Sequence, residues 1–355
     1  MAKAILVTGG CGFVGSHIAI NLKEIYPDYN VIAFDNLRRR GSELNLTRLK
    51  EAGVSFIHGD LRKKEDLDQV GEVFLIIDAA AEPSVLSGLD GSVDYVIETN
   101  LIGTINCLNY AKKYNSDFIF LSTSRVYPIE EINKIKFHED ATRFIVSDKQ
   151  LINGVSGKGI SEDFPLSGAR SLYGACKLSS ELFIREYGAF FGIRFIINRC
   201  GVITGPWQMG KEDQGVIVLW AASHYWKRKL KYIGYGGTGK QVRDILHISD
   251  LFSLLKYQVE NIDVLNGEIF NVGGGTESSV SLLELTELCR AATDTLIEIE
   301  PVTEIRKADV PIYITDNTKV SKVTGWRPKV KPEQIINEIA GWIRENEKSL
   351  QYILK

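Results

Sequence analysis

The chain has 355 residues, of which 44% are hydrophobic and 25% charged, and a formal net charge of −3. That balance suits a globular protein with a sizeable core and excludes a general nucleic-acid or membrane-surface role. No apolar run reaches the ~18 residues of a membrane span.

The opening MAKAILVTGG does not read as a signal peptide. The five cysteines, Cys11, Cys107, Cys176, Cys200 and Cys289, are scattered and form no CxxC pair. Neither a zinc site nor a disulfide framework is expected, and a reducing cytoplasm is the expected compartment.

In chain order, AILVT (4–8) reads as a buried strand, followed by a glycine-rich turn and a helix from Phe13 to Glu24. VIAFD (31–35), VSFIHGD (54–60) and VFLIIDAAA (73–81) read as further strands, Tyr95 to Lys113 as helix, and DFIFLSTS (117–124) as a fifth strand. This alternation predicts an α/β Rossmann fold with a doubly wound parallel sheet, because parallel neighbours need crossovers.

Residues 128–170 break the rhythm as a polar insertion without a clear period. A helix over 171–191 and a strand over 193–199 follow. Helices near 216–229, 247–259, 281–292 and 333–346 then alternate with short strands such as KYIG and EIFNVG. The expected division is a Rossmann domain over 1–200, insertion included. Residues 201–355 are then mainly a smaller C-terminal α/β substrate lobe, following the first domain or interleaved with it.

TGGCGFVG spaces Gly9, Gly12 and Gly15 between the first strand and the first helix. Gly9 suits a tight turn, Gly12 a close approach of backbone to a pyrophosphate, and Gly15 close helix–strand packing. The helix N-terminus then offers amide groups to the phosphates. Asp35 ends the second strand 20 residues after Gly15. A carboxylate there accepts from both ribose hydroxyls and repels a 2′-phosphate, which favours NAD over NADP. Arg38, Arg39 and Arg40 follow closely; they read either as phosphate ligands or as a solvated loop. Asp60 falls where an adenine-contacting loop is expected.

SLYGACK puts Tyr173 and Lys177 four apart on one helix face. LSTSRVY puts Ser122, Thr123 and Ser124 at the C-terminal end of the fifth strand, where open α/β sheets bind ligands. A free phenol titrates near pH 10 and is a poor base at neutrality. An ammonium beside it favours the phenolate. Thr123 can hydrogen-bond the reacting hydroxyl.

Two other patterns carry no chemistry. Gly234 to Lys240 spells G-x-x-x-x-G-K, but Gln241 stands where a P-loop needs Ser or Thr. The histidines His17, His58, His138, His224 and His247 show no ligand spacing, so no metal is expected.

Together TGGCGFVG, the Asp-Asn after the second strand, STSRVY, YGACK, RCGVITGP, QVRDILHISD and FNVGGG resemble the extended short-chain dehydrogenase/reductase superfamily along nearly the whole chain. DNLRRRGSELNL, GPWQMGKEDQGV and GKQVRDILH bring the likeness closer to its epimerases of CDP-linked deoxysugars. The resemblance implies an NAD-dependent enzyme with Thr123, Tyr173 and Lys177 as its catalytic triad. It implies that Gly9, Gly12, Phe13, Val14, Gly15, Asp35, Asn36, Arg38, Asp60, Leu61, Ala79, Ala80, Asn100 and Ser122 surround the NAD with Tyr173 and Lys177.

For the nucleotide sugar the candidates are Glu82, Ser84, Thr123, Arg125, Gln214, Lys240 and Arg243. Arg243 offers a planar fork to a diphosphate; the bland reading is a salt bridge to Asp244 or Asp250. The superfamily often carries Asn and Tyr where this chain has Val202 and Thr204, so contacts by those side chains do not carry over. Its sugar 4,6-dehydratases carry Asp-Glu after the strand-end threonine. Here Ser124 and Arg125 stand instead, leaving no acid for that elimination.

The implied reaction is oxidation and re-reduction at C2 of CDP-paratose, yielding CDP-tyvelose. A UDP-sugar 4-epimerase and a non-catalytic NAD sensor are the competing readings. A homotetramer or homodimer is the implied assembly.

Overall fold

The computed structural model describes residues 3–87, 92–210 and 214–354. Its main sheet has seven strands, numbered here in chain order: β1 (Ala4–Thr8), β2 (Asn30–Asp35), β3 (Ser55–His58), β4 (Leu75–Asp78), β5 (Asp117–Thr123), β6 (Phe195–Cys200) and β7 (Glu268–Val272). They lie in the order β7-β6-β5-β4-β1-β2-β3, and the run from β5 to β3 is parallel. Every residue of β4 and β5 is buried, as expected of a parallel sheet covered on both faces. The order reverses between β1 and β4, the switch point at which such sheets bind ligands.

The helices that position the site are α1 (Phe13–Ile25), α2 (Gly103–Tyr114) and α3 (Leu172–Phe191). The expected helix over 95–113 is split. A short helix, Val93–Ile97, passes through a π-helical turn, Glu98–Ile102, into α2. On one face of the sheet, Leu6, Ile32, Phe34, Ile76, Phe118 and Phe120 pack with Cys107, Leu108 and Ala111 of α2 and Ile184 of α3. Ile32/Phe34 and Phe118/Phe120 show the two-residue period of a strand face.

The buried stripe of α3 is Tyr173, Gly174, Cys176, Lys177, Ser180, Glu181 and Ile184. Its spacing is that of one helix face. Its chemistry is unusual for a core, since four of the seven are Tyr, Lys, Ser and Glu.

The chain divides into two compact units. The first comprises Met1–Val126, Leu172–Arg199 and Phe252–Ile269, and the second Tyr127–Ser171, Cys200–Leu251 and Phe270–Lys355. The polar insertion, expected inside the first domain, is therefore part of the second. Phe252–Ile269, expected in the C-terminal lobe, returns to the first.

In the second unit Val242–His247 pairs with Val202–Thr204, Ser279–Ser281 and Ile312–Tyr313. The insertion forms two small hairpins, Phe137–Glu139 with Phe144–Val146 and Val155–Ser156 with Gly159–Ile160. A capping box between Ser281 and Glu284 starts the helix Leu282–Thr293.

Candidate active site

The glycine turn is sterically exacting. Gly9 has φ +60°, and a Cβ there would lie 2.9 Å from Ala80 Cα. A Cβ on Gly15 would lie 2.1 Å from Gly9 O, so only glycine lets α1 approach the turn so closely. Gly10, which the spacing argument passed over, is equally constrained: its Cβ would meet Ala33 Cα at 2.6 Å. Gly12 is the N-cap of α1. Among the described residues its only close neighbour would be Gly9 O at 3.1 Å, so its outer side suits a phosphate. With Phe13 and Val14 half-buried in the first turn of α1, these residues fit a dinucleotide's pyrophosphate.

Asp35 accepts from the backbone N–H of Leu37 at 2.7 Å and of Cys11 at 3.0 Å. A carboxylate offers about four lone-pair sites, which leaves capacity for ribose hydroxyls. Burial raises its pKa, and these backbone donors and His58 pull the other way. Beside it, Asn36 Nδ2 donates to Asp60 at 3.2 Å, and Arg62 Nη2 donates to Asp60 at 2.6 Å. Burial pushes Asp60 up, but the bonds from Arg62 and Asn36 outweigh it and hold the carboxyl at about 2. Leu61 is buried, and the Arg38 guanidinium lies 3.9 Å from the centre of the Tyr95 ring. Cys11 is fully buried and its thiol is pushed up by burial, which makes it inert.

A network that the sequence did not announce aligns the ends of β1 and β4. Thr8 Oγ1 donates to Asp78 at 2.6 Å and accepts from Ala79 N and Ala80 N at 3.1 and 3.2 Å. Thr104 Oγ1 on α2 donates to the other Asp78 oxygen at 2.9 Å. Asn100, within the π-helical turn, clamps the backbone of Glu82. It accepts from Glu82 N at 3.0 Å and donates to Glu82 O at 3.1 Å. Glu82 and Ser84 meanwhile bond within their own turn, to Ser84 N and Leu86 N.

The triad candidates all belong to the first unit. Tyr173 and Thr123 are each 8% exposed and Lys177 is 1% exposed. Lys177 Nζ donates to Leu121 O at 3.0 Å, and α3 packs on β5 and the turn after it. Thr123 Oγ1 accepts from Arg125 N at 3.2 Å, which leaves its own proton to donate. Ser122, expected beside the cofactor, donates its hydroxyl to Glu181. Arg199 in turn grips Glu181, with Nη2–Oε2 at 2.7 Å. Glu181 went unnoticed in the sequence, although Tyr173, Lys177 and Glu181 continue one spacing of four, and Arg199 was read there only as the opening residue of RCGVITGP.

The remaining candidates lie in the second unit. Lys240 Nζ pairs with Glu139 at 2.7 Å. Arg243 Nη2 donates to Asp309 Oδ1 at 2.8 Å and to Val310 O at 2.6 Å. Its ion pair is therefore with Asp309, not with Asp244 or Asp250, whose oxygens accept from Gly275 N and from Lys329 N and Val330 N. Asp309 is 66 residues away in sequence, beyond the reach of a local argument.

Gln214 is half-buried, and its neighbours Lys211, Glu212 and Asp213 lie outside the described residues. The G-x-x-x-x-G-K stretch runs into the strand Val242–His247 rather than a helix, so it lacks the helix N-terminus of a P-loop. Among the described residues no three His, Cys, Asp or Glu gather as metal ligands, and no helix is long and apolar enough to cross a membrane.

Residues 5–273 match the profile of the NAD dependent epimerase/dehydratase family. The chain is 30% identical to the CDP-paratose 2-epimerase of Salmonella typhi, over 95% of this chain and 98% of that protein. It is also 30% identical to a putative UDP-glucose 4-epimerase of Methanocaldococcus jannaschii, over 97% of this chain and all of that one. The structure of Thermus thermophilus UDP-glucose 4-epimerase complexed with NAD superposes with a TM-score of 0.74 at 25% identity, covering 96% of this chain and 99% of that chain.

Proposed function

The chain belongs to the NAD-dependent epimerase/dehydratase family, and from that premise we propose that it inverts one carbinol centre of a nucleotide-diphosphate sugar, namely C2 of CDP-paratose to give CDP-tyvelose. NAD, when bound, supplies a reversible hydride acceptor next to the sugar carbon. Everything else falls to side chains of this protein.

Tyr173 takes the proton of the sugar hydroxyl as that carbon is oxidised, and returns it when the opposite face is reduced. The buried ammonium of Lys177 favours the phenolate. Thr123 donates to the reacting oxygen. The keto-sugar has to turn between the two half-reactions, so the residues that hold the diphosphate must tolerate two sugar orientations. Lys240 and Arg243 are the candidates for that hold. The observation that carries an epimerase rather than a dehydratase is the strand end itself. Thr123 is followed by Ser124 and Arg125, with no carboxylic acid to eliminate water.

The choice of a CDP-sugar and of C2 rests on the Salmonella typhi relative. A UDP-sugar 4-epimerase is the second reading, favoured by the equally identical archaeal relative. Purified protein incubated separately with CDP-paratose and UDP-glucose, and followed by NMR, discriminates them. Inversion at C2 of the CDP-sugar without deuterium entering from solvent is the expected result. Inversion at C4 of the UDP-sugar alone replaces the first reading with the second, and no inversion of either rejects both.

A further inference from the structure

We propose that Glu181 is a positioning residue, fixing the register of α3 on β5 so that Tyr173 and Lys177 face Thr123. The inference rests on the epimerase reading above for the identity of the reacting groups. Glu181 is 1% exposed and Arg199 is 4% exposed. The guanidinium holds the carboxylate through Nη2 at 2.7 Å and through Nε to both oxygens at 3.1 Å.

Positions 173, 177 and 181 lie on one face of α3, one turn apart. Two successive turns grip two successive residues of β5: Lys177 binds the carbonyl of Leu121, and Glu181 accepts the hydroxyl of Ser122. The next residue of β5 is Thr123. Arg199 fastens the same carboxylate to β6, and Ser180 Oγ ties the neighbouring position of α3 to Asn100 O at 2.9 Å. Sliding or rolling of α3 breaks all of these bonds at once.

A buried ion pair is a poor device for stability, because desolvation offsets its attraction and an apolar pair of similar volume often serves as well. Placement is what it offers here. The carboxylate accepts from two strands, through Ser122 and Arg199.

The test compares wild type with the double variant Glu181→Leu/Arg199→Met, and with Glu181→Asp and Glu181→Gln. The readouts are melting temperature, retained NAD, the KM and kcat for the sugar nucleotide turned over, and the NMR signal of 13C-labelled Tyr173, assigned with Tyr173→Phe. The double variant is expected to fold and keep NAD, with KM within about threefold and kcat down roughly 10- to 100-fold, the loss a small misplacement of reacting groups brings. Its Tyr173 resonance shifts and titrates at higher pH, as the ammonium loosens its hold. Glu181→Asp recovers part of kcat.

A folded double variant with wild-type kcat and an unmoved Tyr173 signal overturns the proposal. So does a kcat loss that merely tracks lost NAD and lost melting temperature. If the double variant does not fold, Glu181→Gln carries the same readouts. The Tyr173 signal needs no substrate, so it decides the matter even if wild type turns over no sugar nucleotide, a result that would sink only the epimerase reading.

Discussion

Lys177 Nζ donates to the carbonyl of Leu121 at 3.0 Å, two residues before Thr123 on the same strand. That bond, with the Phe120 ring 4.3 Å from the ammonium, leaves the charge buried beside the strand end where the sugar hydroxyl is proposed to react. It separates two substitutions that a sequence alone would treat alike. Tyr173→Phe removes the proposed proton carrier and is expected to lower kcat by about 10²–10⁴-fold, the usual worth of a general acid–base group, with NAD still bound. Lys177→Met removes a charge that also anchors β5, so both kcat and retained NAD should fall. NMR turnover and mass spectrometry of the released nucleotide check both. A Tyr173→Phe protein at full rate would remove the phenol from the mechanism.

Gly15→Ala tests the glycine turn as the proposed phosphate site. Its new Cβ sits 2.1 Å from Gly9 O, a backbone atom that cannot swing aside. Forcing that space should cost about 1–3 kcal/mol, as overpacking does. NAD should be lost, because the displaced turn carries the helix N-terminus with it. Thermal melts and the nucleotide content of the purified variant measure the two effects separately. Gly12→Ala, whose Cβ meets only Gly9 O at 3.1 Å among the described residues, should hold its melting temperature better while still binding NAD poorly.

The glycine spacing and the Tyr173/Lys177 pair were legible because each is a local rule of sterics or helix periodicity. The sheet's parallel strands were legible for the same reason, as short apolar runs separated by helices. What the sequence hid is long-range. Thr8 meets Asp78 across 70 residues and Thr104 meets it across 26. Arg243 finds Asp309, 66 residues away. The return of Phe252–Ile269 to the first unit has no periodic signature either, since a helix and a strand read alike in either unit. Glu181 lay within a visible pattern, but only its burial against Arg199 distinguishes it from a solvated helix position.

Asp35 should set cofactor choice. Its carboxylate stands at the end of β2 with two backbone donors already in place, and Arg38 is three residues on, stacked on Tyr95. Asp35→Ser removes the negative charge that would repel a 2′-phosphate. The ratio of NAD to NADP affinity, measured by calorimetry on nucleotide-free protein, should shift toward NADP by about tenfold, the effect of ~1.4 kcal/mol. An unchanged ratio would take Asp35 out of the ribose site.

Thr104→Val probes the network behind Ala79 and Ala80. The substitution keeps the side chain's shape and leaves one oxygen of Asp78, a residue 1% exposed, without its hydroxyl donor. Losing one partner of a buried polar pair costs about 1–3 kcal/mol. Denaturant melts should show that loss, with the denaturant slope unchanged. Adding Asp78→Asn should cost less than the two single effects combined, because the groups share one network. Strict additivity would mean that the hydroxyl and the carboxylate act independently.

Asp60 makes the acid limb of stability a test of the loop at the proposed adenosine end. Burial disfavours its charge, yet Arg62 and Asn36 hold the folded carboxyl at about 2, below the ordinary value of 3.8. A carboxyl depressed on folding contributes stability that is complete above the unfolded value and is lost as pH falls through the folded one. The relevant window is therefore about pH 4 down to pH 2. Asp60→Asn cannot titrate, so the gap in melting temperature between wild type and variant should be constant from about pH 7 to pH 5 and should close below about pH 4. The pair is partly exposed, with side-chain accessibilities of 18% for Asp60 and 27% for Arg62. Solvent screening then keeps the gap within the ~1 kcal/mol of a surface ion pair. Paired melts at about pH 7, 5, 3.5 and 2 span that window and measure it; a gap that persists unchanged to the lowest of these would show that Asp60 acts in that loop through its shape and not through its charge.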